Sequence, residues 1–160
     1  VKRLILMRHG EAEVMLAAKN DKTRRLTASG LSASVRTGQE IRARGFSPEL
    51  ILSSDAERAV ETLEAVMRGG AFVGIPSKTL GILYLADPET LLFRCCEVDD
   101  QTNTLLLIGH NPGWSETASE LSNTHLVLET AQAALLEHSS DSWGDALNDS
   151  GSWRLKAIIP

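Results

Sequence analysis

The chain has 160 residues, 42% of them hydrophobic and 23% charged, the size and make-up of one compact domain with a real core. Sixteen basic against 21 acidic residues leave a net charge of −5, which argues against a broad basic surface for nucleic acid and makes any local group of arginines informative. The apolar start Leu4 to Met7 is far too short for a signal sequence or a membrane span. The expectation is a soluble, cytoplasmic single domain over residues 1–160, with no membrane and no nucleic-acid partner.

Residues 3–8 form an apolar run that ends at His9-Gly10, a buried strand followed by a sharp turn. Residues 11–26 are polar and irregular and read as a surface loop. Thr27 caps a helix to about Arg44, with Leu31, Val35, Gly38 and Ile41 or Arg42 on one face. Gly45 and Pro48 supply its stop. Glu49 to Ser53 is a second strand. Ser54-Asp55-Ala56-Glu57 then reads as a capping box opening a helix, in which Ala56, Ala59, Val60, Leu63, Val66 and Met67 recur at helical spacing up to Gly69-Gly70.

Residues 71–86 hold short strands or an irregular crossing. Asp87-Pro88 is an N-cap with a first-turn proline, opening a helix through about Val98. Thr104 to Gly109 is a buried strand, with His110-Asn111-Pro112-Gly113 at its end and a helix through about Leu121 after it. Ala131 to Glu137 is a strand, 139–150 a polar connection containing Trp143, and Trp153, Leu155, Ala157 and Ile159 alternate as a half-buried strand should. Strand and helix alternate for most of the chain. The expected class is therefore α/β, with a largely parallel central sheet and helices on both faces.

Cys95 and Cys96 are adjacent, a poor geometry for a disulfide, and read as reduced thiols. No grouping of His, Cys and carboxylate has metal-ligand spacing, so neither a metal nor another cofactor is expected.

Three groups fall at the exits of predicted strands: Arg8-His9-Gly10, Ser53-Ser54 with Arg58, and Gly109-His110-Asn111. Ligands of open α/β sheets bind at the carboxyl ends of strands. Two of only four histidines occupy such exits. Arginine offers a planar fork suited to phosphate oxygens, and imidazole can carry a phosphoryl group covalently. Catalysis of phosphoryl transfer is mostly positioning plus charge stabilisation, which two arginines and two histidines supply without a metal. Nearby arginines also keep an imidazole neutral, as a nucleophile needs. Taken alone, Arg58 reads as a surface helix residue and a strand-end histidine as structural; the combination reverses both readings.

These motifs resemble the histidine phosphatase superfamily, also called phosphoglycerate-mutase-like. Its Arg-His-Gly signature is matched by Arg8-His9-Gly10, followed by Glu11-Ala12. The resemblance continues through Asp21 to Arg24, Leu26 and Thr27 to Gly30, Leu52-Ser53-Ser54 with Arg58-Ala59 and Thr62, and Gly109 to Gly113, as well as Trp143 and Pro160. The short length is similar to the small bacterial phosphohistidine phosphatase branch. The resemblance implies a three-layer sandwich, His9 as the nucleophile in preference to His110, and Arg8, Arg58 and His110 as groups that bind and stabilise the phosphoryl group. It implies a phosphatase acting on phosphohistidine in proteins or on a small phosphorylated molecule. The rivals are a phosphomutase, for which the chain lacks enclosing insertions, and a non-catalytic phosphate or phosphoprotein-binding module.

Two departures stand out. Asp55 replaces the usual proline, which leaves the helix start intact and puts an acid near the phosphate site. Arg25 replaces a proline and adds a charge that could border the substrate. The general acid has no recognisable motif. Glu11 and Asp87 are candidates by position, Glu11 otherwise reading as a solvated loop residue and Asp87 as a helix cap. His125 and His138 read as surface or loop residues, and Trp114 as core near the pocket mouth.

Overall fold

Strand β1 (Lys2–Arg8) runs through the middle of the molecule, and its alternation feeds two separate cores. Leu4 and Leu6 face one side, Ile5 and Met7 the other, and all four are fully buried. The computed structural model describes residues 1–17 and 19–160. Strands β2 (Leu50–Ser54), β3 (Ser77–Leu80), β4 (Thr104–Gly109), β5 (Ala133–His138) and β6 (Arg154–Ile159) complete one sheet in the order β3-β2-β4-β1-β5-β6. Pairs β3–β2, β2–β4 and β4–β1 are parallel, whereas β5 pairs antiparallel with both β1 and β6. Five of the six strands therefore point the same way, and β5 alone opposes them.

Helices α1 (Ala28–Ala43) and α2 (Glu57–Gly69) cover one face. Helices α3 (Pro88–Cys96), α4 (Gly113–Ser122) and α5 (Trp143–Asn148) cover the other. The result is the three-layer α/β sandwich expected. Cys95 is buried in α3 and Cys96 exposed, both as free thiols. Among the described residues no helix is long and apolar enough to cross a membrane.

Several local expectations need correction. The buried stripe of α1 is Gly30, Ser34, Thr37, Gly38 and Ile41, while Leu31 is 39% exposed. The cause is a close approach to α2: a Cβ on Gly38 would lie 2.5 Å from the Val66 carbonyl oxygen, so small residues face the neighbour and larger ones are turned out. Residues 139–150 are not a mere polar connection, because Ser142 caps α5 and Trp143 is fully buried against Trp153. His138 is not an ordinary loop residue either. It ends β5, bonds Asp149 through Nε2 at 2.9 Å and lies over Trp153.

The largest correction concerns Ser54. No capping box forms, because β2 runs on through Ser54 and α2 starts at Glu57, with Ala56 at its N-cap and no side-chain cap. The Ser54 hydroxyl instead accepts from the Ala56 amide at 3.2 Å and contacts His110 Nε2 at 2.7 Å. Residues 11–26 carry two short 3₁₀ turns, Met15–Ala17 and Asp21–Thr23. Ala18, within that predicted loop, lies outside the described residues.

Candidate active site

The site lies where β1, β2 and β4 end. The β1–β4 register pairs Arg8 with Gly109, and the His9 amide bonds the Gly109 carbonyl at 3.0 Å. His9 and His110 therefore leave the sheet side by side, with ring centroids 5.2 Å apart. Gly109 is needed beneath them. A Cβ there would meet the Trp114 ring at 2.1 Å, and that buried indole stands edge-on to His110. Arg58, on the first turn of α2, is only 3% exposed and reaches between the two rings. Arg8, His9, Arg58 and His110 thus line one cavity of about 400 Å³.

Hydrogen bonding fixes the state of each ring. His9 Nδ1 lies 2.7 Å from the Gly10 carbonyl, which can only accept, so Nδ1 carries the proton. Nε2 is left with its lone pair facing the cavity, where Arg58 Nε–H points at it from 3.3 Å. Burial chiefly, and then Arg58, Arg8 and Arg24, bring the pKa of His9 down to about 4, against the opposing pull of the Gly10 bond. His110 has the opposite tautomer. Arg58 Nη2 donates to its Nδ1 at 3.3 Å, so its Nε2–H donates to Ser54. Burial, and then the neighbouring His9 and Arg58, lower the pKa of His110 to about 3, although Asp21 pulls the other way. Both imidazoles are neutral near pH 7.

Arg8 sends Nη1 to the Leu128 carbonyl at 3.2 Å, while its buried Nε has no partner. Burial lowers its pKa, only partly offset by Glu129. Thr62, one turn beyond Arg58, accepts from the Gly10 amide at 3.0 Å and locks the turn after His9.

Three further polar side chains that lie at no strand exit line the cavity: Asp21, Arg24 and Tyr84. Asp21 Oδ2 accepts from Arg58 Nη2 at 3.0 Å and from the Tyr84 hydroxyl, and Oδ1 accepts from Arg24 Nη1 at 2.9 Å. Those bonds, the Tyr84 one first, hold its carboxyl well below the usual carboxylate range, and the same bond raises the Tyr84 pKa. Tyr84 is the chain's single tyrosine and stands edge-on to His110 at 5.4 Å. Its uniqueness was a visible signal; its position was not.

Neither acid candidate belongs to the cavity lining. Glu11 is exposed and accepts from the Thr27 hydroxyl at 2.8 Å. Asp87 caps α3 through the Thr90 amide at 2.9 Å, which lowers its pKa, the reverse of what a proton donor needs. Arg25 is turned away as well, paired with Glu61 at 3.1 Å on the exposed side of α2. Asp55 lies two residues before α2, is paired with Lys22 at 3.0 Å and is not among the residues lining the cavity. A larger cleft of about 480 Å³ shares Asn111 with the site, but its charged groups are Glu116 and Glu120, the wrong sign for a phosphate. His125 lines that cleft. Among the described residues no three His, Cys, Asp or Glu side chains come together as a metal site.

Residues 4–76 match the family model of the histidine phosphatase superfamily (branch 1). An uncharacterized chloroplastic protein of Arabidopsis thaliana, At3g52155, is 31% identical over 99% of this chain and 77% of its own length. The chain belongs to the histidine phosphatase superfamily. Among solved structures, a SixA protein of Agrobacterium tumefaciens proposed to be a phosphohistidine phosphatase is 26% identical. It matches with a TM-score of 0.83 over 99% of this chain and 97% of the other. The protein histidine phosphatase SixA in complex with tungstate shares the fold at a TM-score of 0.79 and 22% identity, over 98% and 96% of the two chains. Within the superfamily the chain falls in this short, SixA-like branch, and a phosphatase is the activity its family supports.

Proposed function

We propose that the chain is a metal-independent phosphatase in which His9 Nε2 carries the phosphoryl group, acting on phosphohistidine in proteins or on a small phosphate ester. The observation that carries this reading is the tautomer of His9. Its proton sits on Nδ1 against Gly10, and its lone pair faces a cavity bounded by Arg8, Arg58 and His110. In the first step a bond forms from Nε2 to phosphorus while the bond from phosphorus to the leaving group breaks, its electron pair departing with that group. In the second, water attacks phosphorus, the Nε2–P bond breaks with its pair returning to the ring, and the water's protons leave on the released phosphate, the excess passing to solvent. The arginines supply the charge stabilisation that a metal supplies in other phosphoryl transferases.

Among the described residues that line the cavity, no carboxyl is placed to act as an acid. Glu11 and Asp87 are engaged elsewhere, and the one carboxylate in the lining, Asp21, is held ionised. This favours leaving groups that need little help from the protein. A phosphohistidine whose ring is protonated by solvent leaves as neutral imidazole, whereas an alkyl phosphate leaves as a poor alkoxide unless protonated in place. The names of the SixA relatives point the same way. The test is a turnover screen of phosphohistidine peptides beside p-nitrophenyl phosphate and sugar phosphates, in chelator. Turnover of the peptides and the aryl ester ahead of the sugar phosphates is expected. Binding of phosphate without turnover of any of them would return the chain to a non-catalytic binding module.

A further inference from the structure

Asp21 is the one carboxylate among the residues that line the cavity, and its side chain bonds only to groups in that lining. The guanidinium of Arg58 shows why it is there. The side edge of that guanidinium, Nε and Nη2, points at His9 Nε2 and His110 Nδ1, each 3.3 Å away. The end edge, Nη1 and Nη2, is gripped by Asp21: Nη1 donates to its backbone carbonyl at 2.7 Å and Nη2 to Oδ2 at 3.0 Å. A guanidinium is a rigid plane with five N–H groups in fixed directions, so a grip on one edge sets the aim of the other. Asp21 is itself fixed. Arg24 and Tyr84 hold its carboxylate, and Asn20 caps the 3₁₀ turn on which it sits.

We infer that Asp21 is a positioning residue for Arg58, holding its end edge so that its side edge is aimed in advance at the phosphoryl oxygens transferred to His9. This rests on the proposed function, in that Arg58 is taken as a hydrogen-bond donor to the phosphoryl oxygens. Asp21 also sets the charge of the site. Arg8, Arg24 and Arg58 against one carboxylate leave two net positive charges, the complement of a phosphoryl dianion. Removing Asp21 therefore has two opposed effects. The site becomes more positive, which does not weaken ground-state binding of an anion, yet Arg58 loses its aim, which slows the chemical step.

The experiment measures kcat and KM on p-nitrophenyl phosphate, and inhibition by inorganic phosphate, for wild type, Asp21→Ala, Arg58→Ala and the double variant. Asp21→Asn, equal in shape, is run alongside in case the alanine variant does not fold, and melting curves are taken for all. A misplaced catalytic group costs up to about 10²-fold. The expected result for either Asp21 variant is a fall in kcat of roughly 10- to 100-fold with KM and phosphate inhibition no weaker than in wild type. In the Arg58→Ala background the same change should cost about nothing further, because the group being aimed is gone. A kcat that stays near wild type or rises, phosphate binding that weakens in step with kcat, or an equal loss in both backgrounds would each overturn the inference. A merely structural role would give the last of these. Near-normal turnover by Arg58→Ala alone would instead overturn the pocket assignment beneath it.

Discussion

The Nε–H of Arg58 points at Nε2 of His9 across 3.3 Å, a cation aimed at the lone pair proposed to take the phosphoryl group. One contact serves two needs of the chemistry. A positive charge there opposes protonation of the ring, and the same N–H is in place for an oxygen of a phosphoryl group whose phosphorus is bound to Nε2.

Loss of Arg58 should therefore be far more damaging than loss of Arg25. Removing a donor aimed at developing charge typically costs on the order of 10²–10³ in turnover. Arg25 is 66% exposed and paired with Glu61 at the surface, where such pairs contribute little and are screened by salt. Steady-state kinetics of Arg58→Ala and Arg25→Ala on p-nitrophenyl phosphate check this. A larger loss in the Arg25 variant would mean that the pocket is built from other residues.

The depressed pKa values have a signed consequence for stability. His9 and His110 titrate near 4 and 3 in the folded chain, below the ordinary value of 6.5. Between pH 6.5 and 4 the unfolded chain takes up protons that the folded one does not. Stability from these groups is thus fully present above about pH 6.5 and falls as pH drops toward 4, by up to ~1.4 kcal/mol per pH unit for each group. Asp21 adds a further loss at still lower pH, because its carboxylate must then be protonated. Melting temperature measured from pH 7.5 to 4.5 should fall, and less so in His9→Asn. A flat profile in wild type would show that the rings are not held neutral by burial.

Activity should tolerate acid better than an ordinary histidine nucleophile would. The acid limb of kcat/KM, after correction for ionisation of the substrate phosphate itself (second pKa about 6), is expected well below pH 6.5, since His9 stays unprotonated down to about pH 4. An acid limb at or above pH 6.5 in the corrected profile would place the nucleophile in a more exposed or more acidic setting.

Much of this site was legible in the sequence because its parts sit at strand ends, where apolar runs stop and chemistry begins. Arg8 closes β1, His9 follows it, and His110 follows β4, each strand carrying four consecutive buried apolar residues, and their neighbourhood follows from parallel pairing in register. Asp21 and Tyr84 were not legible in the same way. Each lies in an irregular segment, and their meeting at Arg58 depends on the path of a loop with no periodicity to reveal it. Ser54 shows the converse hazard. Its spacing to Glu57 satisfies a local capping rule, but the strand continues through it and its hydroxyl is spent on Ala56 and His110. The face of α1 is not the one its hydrophobicity marks at Leu31, because the approach of α2 selects Gly38 and its small neighbours.

Leaving-group dependence checks the absence of an acid among the residues lining the cavity. Rate against leaving-group pKa should be steep in wild type, fastest for phosphohistidine and aryl phosphates. Glu11→Gln and Asp87→Asn should leave the plot unchanged, as both side chains make structural bonds away from the lining and Asn also caps helices. Positioned general acids contribute about 10²–10⁴-fold. A flat wild-type plot that steepens in one amide variant would identify that residue as the donor.

Whether His9 carries the phosphoryl group covalently is decided by rapid quench at neutral or alkaline pH with a labelled aryl phosphate. The expected result is label on wild type that is acid-labile, maps to the peptide containing His9, and is missing from His9→Ala while still forming on a Glu11→Gln control. Equal labelling of His9→Ala, or label mapped to His110, would mean that His9 is not the nucleophile.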